Sequence, residues 1–187
     1  MALLHYLIKK RDGSLGFTSI TNLDIHDIAR LSKTFELGKF FVVSPVESQK
    51  EHARAIVDHW TKGFGSTYNQ FRREAFEKVE IIDTLEDCVS YIKNTTGKEP
   101  VIIGTAAKKI FNKIIDYSDV CDKMLSAGFP VLVVFGTGWG LHEEAAEKCH
   151  YFLEPIEGVL DYNHLSVRSA VTITVDRIVR KLLYKER

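Results

Sequence analysis

Three side chains able to move a proton or hold an anion, Asp161, His164 and Arg168, lie close together late in the chain. Asp161 and His164 fall in a loop between Gly158 and the start of the last helix, where either can act as general base or orient a ligand. An ordinary loop-stabilising carboxylate or hydrogen-bonded imidazole is the competing reading. Arg168 falls in the first turn of that helix, where free N–H groups already favour anions. A cation gains nothing there as a cap, which points to RNA, a carboxylate or a partner subunit, with an ordinary salt bridge as the alternative. Ser166 precedes it as a plausible N-cap. Earlier in the chain, His26 and Arg30 are four apart on one helix, on the flank away from its apolar stripe. They are expected to project together, to meet a phosphate or assist deprotonation. Against that stands a plain solvated face, with Asp27 pairing Arg30.

The second chemical signal is a pocket made of backbone. The apolar run Val131-Leu132-Val133-Val134-Phe135 ends in Gly136-Thr137-Gly138-Trp139-Gly140-Leu141, and glycines there let main chain approach a ligand closely. A second loop, Pro155-Ile156-Glu157-Gly158, follows. A dinucleotide fingerprint needs a third glycine where Leu141 stands, and normally follows the first strand of its fold. The late position also excludes the common methyltransferase fold that opens with a GxGxG turn. No Gly-Lys-Ser/Thr follows, which excludes a P-loop. A turn required only by chain geometry is the alternative to a cofactor wall.

The elements that must position these groups alternate. Strand-like apolar runs occur at Ala2 to Ile8, Phe40 to Val43, Val79 to Ile82, Pro100 to Gly104, Val131 to Phe135 and Tyr151 to Leu153. Helical periodicity covers Asn22 to Leu37, Val46 to Thr61, Leu85 to about Asn94, Asp116 to Ala127 and Ser166 to Tyr184. A glycine-bearing loop from Lys62 to Gln70 leads into a short charged helix. Continuous β-branched strands between helices predict an α/β fold, with a mainly parallel sheet covered by helices on both faces.

Composition sets the outer bounds. The 187 residues predict a single domain, 1–187, without repeats or long linkers. Lys plus Arg equals Asp plus Glu at 25 each, so no global field collects nucleic acid, and such a partner must be held by local patches. Cys88, Cys121 and Cys149 are scattered without CxxC spacing, which predicts reduced thiols in a cytoplasmic protein and no metal site. No apolar run approaches membrane-spanning length, and no signal-peptide pattern opens the chain.

The glycine turn, the Pro155-x-x-Gly158 loop and the helix opening Asn163-His164-Leu165-Ser166-Val167-Arg168, together with Thr21-Asn22-Leu23-Asp24, resemble the SPOUT superfamily of S-adenosylmethionine-dependent RNA methyltransferases. The resemblance implies a C-terminal trefoil knot, a homodimer with sites completed across its interface, and a cofactor lying among three loops. The residues so implied are Thr105 and Ala106; Phe135, Gly136, Thr137, Gly138, Trp139, Gly140 and Leu141; and Pro155, Ile156, Gly158, Leu165 and Ser166. It also implies RNA, tRNA or rRNA, as substrate. Arg30 occupies the position of a catalytic arginine in the ribose-methylating branch, but Asp24 and His26 replace that branch's Asn and Gly. Leu165-Ser166-Val167-Arg168 likewise replaces its Leu-Asn-Val-Ser, so ribose and base acceptors both stay open.

Trp60, Lys62, Phe64, Tyr68, Asn69, Arg72 and Arg73 interleave aromatics with positive charge, a combination suited to unstacked bases and phosphates. Core packing of Trp60 and Phe64 is the alternative. Lys108 and Lys109 form a smaller basic group beside the Thr105 turn, and with His26, Arg72 and Arg73 they complete the expected RNA contacts. Two rival readings accompany the enzyme: a non-catalytic cofactor- or RNA-binding module of the same fold, and an unrelated nucleotide-binding α/β protein.

Overall fold

The structure is a computed structural model and describes residues 1–160 and 162–185. Seven strands form one all-parallel sheet: β1 (Ala2–Leu4), β4 (Phe40–Val43), β5 (Val79–Ile82), β6 (Val101–Gly104), β7 (Ile114–Ile115), β8 (Val131–Gly136) and β9 (Tyr151–Leu153), in the order β5-β4-β1-β8-β6-β9-β7. Strand alternation sends Leu3, Phe40, Val42, Ile103, Val133 and Phe135 to one face, and Ala2, Leu4, Phe41, Val43, Ile102, Leu132 and Val134 to the other. Both sets are buried, which explains why these strands read as unbroken apolar runs.

The first face is covered by α1 (Asn22–Thr34), α2 (Glu47–Thr61), α4 (Gln70–Phe76), α6 (Tyr117–Asp119) and α8 (Val167–Lys185), through Ile25, Ile28, Ala53, Phe76, Tyr117, Val171, Val175 and Ile178. The second is covered by α5 (Leu85–Thr96) and the single turn α7 (Glu143–Ala146), through Leu85, Cys88 and Ala145. The expected α/β architecture is observed. Helix α5 shows the local logic: Thr84 and Asp87 form a reciprocal capping box, and Gly97 at φ 75° ends the helix in the left-handed region.

Several local expectations are corrected. Ala2 to Ile8 is two strands rather than one: β1 joins the sheet, and β2 (Tyr6–Lys9) leaves it to pair antiparallel with β3 (Leu15–Phe17). The break falls at His5, and within β2 the pairing with β3 shifts register at Leu7, whose φ is 56°, a conformation that periodicity does not encode. Helix α1 ends at Thr34 rather than Leu37, because Glu36 adopts φ 47°. The Lys62 to Gln70 loop contains the helical turn α3 (Phe64–Tyr68). The expected helix from Asp116 is the short α6, which widens into a π-helix over Val120–Leu125. The edge strand β7 and the turn α7 are too short to leave a periodic signal.

Candidate functional site

Strands β8, β6 and β9 are consecutive neighbours, so the loops after their C-terminal ends form one continuous rim. Crevices outside the carboxyl ends of parallel strands are where open α/β sheets bind ligands. The sequence separates these loops by tens of residues, and the sheet brings all three together.

The first loop, after β8, folds back on itself: a Cβ at Gly136 would lie 2.7 Å from the Leu141 amide nitrogen. Gly138 and Gly140 both have positive φ, 56° and 94°. The two differ in surroundings. A Cβ at Gly138 would touch Thr18 and Ile8, whereas one at Gly140 would enter open space. The turn rests on the β2–β3 hairpin, through Lys9 N–H donating to Gly140 O at 2.9 Å and His142 N–H donating to Leu7 O at 2.8 Å. Part of its glycine content is therefore explained by chain geometry, and the side facing away from the hairpin is open. Trp139, 65% exposed, projects from it.

A buried polar chain that sequence reasoning missed supports this turn. Thr137 donates its hydroxyl to Leu4 O at 2.9 Å, Thr18 contacts Thr137, and His5 Nδ1 lies 3.2 Å from Thr18 Oγ1. With the Thr137 proton committed to Leu4, Thr18 donates to Thr137 and His5 donates from Nδ1 to Thr18. His5 Nε2 is then a buried acceptor with no partner among the described residues. Burial pushes the imidazole down to about 4, against an opposing pull from Asp24, so His5 is neutral at physiological pH. The signal available in sequence was a histidine directly ending a buried strand.

The second loop begins at Gly104, where a Cβ would strike the Phe152 ring. Thr105 is pinned by its N–H and hydroxyl, both donating to Val134 O at 3.1 and 3.0 Å. Ala106 follows, half-buried. The third loop is tied to the second by Asn163 Nδ2 donating to Ala107 O at 3.0 Å and by Lys109 facing Glu157 at 3.7 Å. Pro155 is buried and Ile156 half-buried, while Gly158 closes onto Tyr162 O, 2.9 Å from where its Cβ would sit. Val159, Leu160, Tyr162 and Leu165 leave large apolar surface exposed along this loop. Backbone-rich walls beside exposed apolar side chains fit a ligand with polar edges and a flat apolar body. His164 is exposed, edge-on to Tyr162 with centroids 5.4 Å apart. Asp161 lies outside the described residues.

Arg168 has a definite partner. It donates to Asp24 Oδ1 at 2.8 Å and faces Asp27 Oδ2 at 3.3 Å, clamping the start of α8 to the first turn of α1. The other Asp24 oxygen accepts from Thr21 Oγ1 at 2.6 Å. The ordinary salt bridge is therefore what the structure shows for Arg168, and Asp27 serves Arg168 rather than Arg30. Ser166 accepts from the Ser169 N–H at 3.2 Å, the N-cap geometry expected of it.

Arg30 is exposed, with no ion pair among the described residues. His26 does not project beside it into solvent as expected. The ends of α2 and α4 cover that flank: Trp60 Nε1–H donates to His26 Nε2 at 3.2 Å, and Phe76 packs edge-on at 4.7 Å. Burial, and secondarily the Arg72 charge, lower the His26 titration. Arg72 lies over the Trp60 ring at 4.5 Å, Arg73 pairs with Glu77 at 3.1 Å, and Lys108 is exposed. Among the described residues no group of three or more His, Cys, Asp or Glu can hold a metal ion, and no helix is long and apolar enough to cross a membrane.

Comparison with known proteins agrees with this geometry. A family model described as SAM-dependent RNA methyltransferase matches residues 1–180. A tRNA (guanine-N(1)-)-methyltransferase of Nitratidesulfovibrio vulgaris is 40% identical over 178 residues, which are 95% of this chain and 41% of that protein. The chain thus spans about two fifths of that relative's length. The fold is shared with the TrmH/SpoU tRNA modifying enzyme of Aquifex aeolicus, at TM-score 0.56 and 14% identity over 90% of this chain and 73% of that one. It is shared equally with the SpoU methyltransferase AviRb of Streptomyces viridochromogenes, solved in complex with AdoMet, at TM-score 0.56 and 15% identity over 89% of this chain and 58% of that one. A match over nearly the whole chain, on a sheet that gathers the three loops at one rim, shows that the chain belongs to the SAM-dependent RNA methyltransferase family, with the SPOUT-type fold of its structural neighbours.

Proposed function

We propose that this chain transfers a methyl group from S-adenosylmethionine to a nucleotide of tRNA or rRNA, as a single catalytic domain. The observation that carries the reading is the common rim of the Thr105, Gly136–Leu141 and Pro155–Ser166 loops, open on the side of Gly140 and Trp139. Backbone groups of Phe135 to Leu141 and Pro155 to Gly158, with Thr105, Ala106, Leu165 and Ser166, would hold the cofactor. When bound, S-adenosylmethionine supplies the electrophilic methyl carbon. The chain supplies alignment of the acceptor and removal of its proton.

In this reading the exposed His164 imidazole takes that proton, and Arg30 and Lys108 meet RNA phosphates as cations without a carboxylate partner among the described residues. Arg168 is a positioning residue that fixes the α8 start, and with it Leu165 and Ser166, against α1. The name of the N. vulgaris relative makes guanine N1 in tRNA the first acceptor to test. The exposed Leu23, Leu160 and Leu165 support a homodimer that covers this rim. The family resemblance supports a knotted C-terminal segment and a cytoplasmic location.

Isothermal calorimetry with S-adenosylmethionine and S-adenosylhomocysteine, followed by transfer of labelled methyl to undermodified total RNA, tests the proposal. Saturable cofactor binding that Gly138→Val abolishes, with transfer lost in Arg30→Ala and His164→Ala, is expected. Absence of cofactor binding by the wild type overturns it.

A further inference from the structure

Phe64, Tyr68 and Phe71 are 72%, 74% and 86% exposed, although they belong to the well-formed turns α3 and α4. Phe64 and Tyr68 stack on one another, with centroids 5.7 Å apart and planes 25° from parallel. Water disfavours such rings, so a cluster left exposed on ordered turns is a surface awaiting an occupant.

The cluster is held rigidly. Gly65 lets α3 pack onto the end of α2, since a Cβ there would lie 2.6 Å from the Trp60 ring and 2.9 Å from His59 O. Asn69 caps α4 by accepting from the Arg72 N–H at 3.0 Å. Charge surrounds the rings on one side of neutrality. From His59 to Arg73 there is no acidic residue, while Lys62, Arg72 and Arg73 are basic, in a chain whose net charge is zero. Arg72 spends one guanidinium face on Trp60 and has no carboxylate partner among the described residues. The Lys62–Asp58 and Arg73–Glu77 pairs are solvent-exposed, where such pairs are weak enough to yield to a phosphate.

We infer that α3 and α4 form a stacking platform for unpaired nucleotides of the RNA substrate, with Phe64, Tyr68 and Phe71 taking bases and Lys62, Arg72 and Arg73 taking the backbone. Rings with a free face accept any base, and cations spaced among them follow the phosphates. A duplex offers no exposed base faces to such a platform. This inference rests on the proposed RNA substrate and adds which RNA conformation is read and by which surface.

The test is fluorescence anisotropy of the full chain with a fluorescein-labelled 12-nucleotide single-stranded RNA and with the same sequence as a duplex. Wild type is compared with Phe64→Ala/Tyr68→Ala/Phe71→Ala, whose melting temperature is checked first; exposed rings should leave it unchanged. The expected result is at least a tenfold loss of single-strand affinity, duplex affinity changed less than twofold, and S-adenosylmethionine affinity unchanged. Equal single-strand binding by the two proteins overturns the inference, as does no single-strand binding by the wild type. A triple variant that falls from dimer to monomer in sedimentation while keeping its RNA affinity also overturns it, by giving the patch to a second copy. Cofactor calorimetry separates the two levels: intact cofactor binding with a failed platform leaves the methyltransferase reading standing, and absent cofactor binding refutes that reading itself.

Discussion

Removing the Arg168 side chain tests whether the clamp between α1 and α8 is structural. Asp24 is the buried partner, with 8% of its side chain exposed against 32% for Arg168. Breaking a fully buried pair costs about 3–5 kcal/mol, because it strands a charge. Two features reduce that figure. One Asp24 oxygen keeps its bond from Thr21, and Arg168 is a third open to solvent. The half-exposed Asp27 adds little. Arg168→Ala is therefore expected to lose about 2 kcal/mol. For a chain of this size each kcal/mol moves the melting point by about 2–4 °C, which gives a fall of about 4–8 °C in differential scanning calorimetry. Asp27→Asn should move it by less than about 1 °C. In 1 M salt the effect of Arg168→Ala should persist, since a buried pair is poorly screened. A variant melting within 1 °C of wild type would refute the reasoning and return Arg168 to the pool of anion-binding candidates.

Three further outcomes are expected. Gly140→Ala places its methyl in open space at φ 94°, so its cost is backbone strain of about 1–2 kcal/mol. Its S-adenosylmethionine affinity should fall at least tenfold by calorimetry, and unchanged affinity would remove Gly140 from the cofactor wall. His5 binds a proton less readily in the folded chain, at about 4, than in the unfolded one, at the ordinary imidazole value of 6.5. Its stabilising effect is therefore complete above pH 6.5 and is lost as pH falls towards 4, by about 3 kcal/mol. His5→Asn should flatten urea-determined stability over that window, and an unaltered slope would show that other groups set it. Burial pushes the Cys88 and Cys149 thiols up to about 12, so neither should react with iodoacetamide at pH 8 until the chain unfolds; prompt native labelling of either would contradict their placement.

The sequence made the sheet legible wherever a strand is buried on both faces, as at Phe40–Val43 and Val131–Gly136, because burial leaves unbroken apolar runs. It left unreadable what depends on single dihedrals or on partners distant in the chain. The register shift at Leu7 within β2 is one case, and the two-residue edge strand Ile114–Ile115 is another. Glycine and proline spacing marks the Gly136 and Pro155 loops, the family resemblance adds the Thr105 turn, and the sheet order explains why the three meet. His26 was misplaced because helical spacing defines a flank of α1 but says nothing of the Trp60 and Phe76 rings that cover it. Arg168 was recognised as anomalous for a helix start, yet its carboxylate partners lie 144 and 141 positions earlier in the chain, beyond any local pattern.

The place of β1 governs how the rim is assembled in time. Residues 2–4 form an interior strand, third of the seven, between Phe41–Val43 on one side and Val134–Gly136 on the other. One neighbour closes a loop of modest length, and the other joins residues more than a hundred positions apart. Loop closure of that second kind is entropically dearer, and non-local parallel pairing is slow. A nascent chain can thus zip β1, β4 and β5 early and must wait for β8 before the three rim loops can meet. Fraying at a peripheral strand would leave such a sheet whole. Fraying at this one parts the sheet between the strands that carry α3 and α4 and the strands that carry the three loops, and leaves the Arg168 clamp to hold the two sides together.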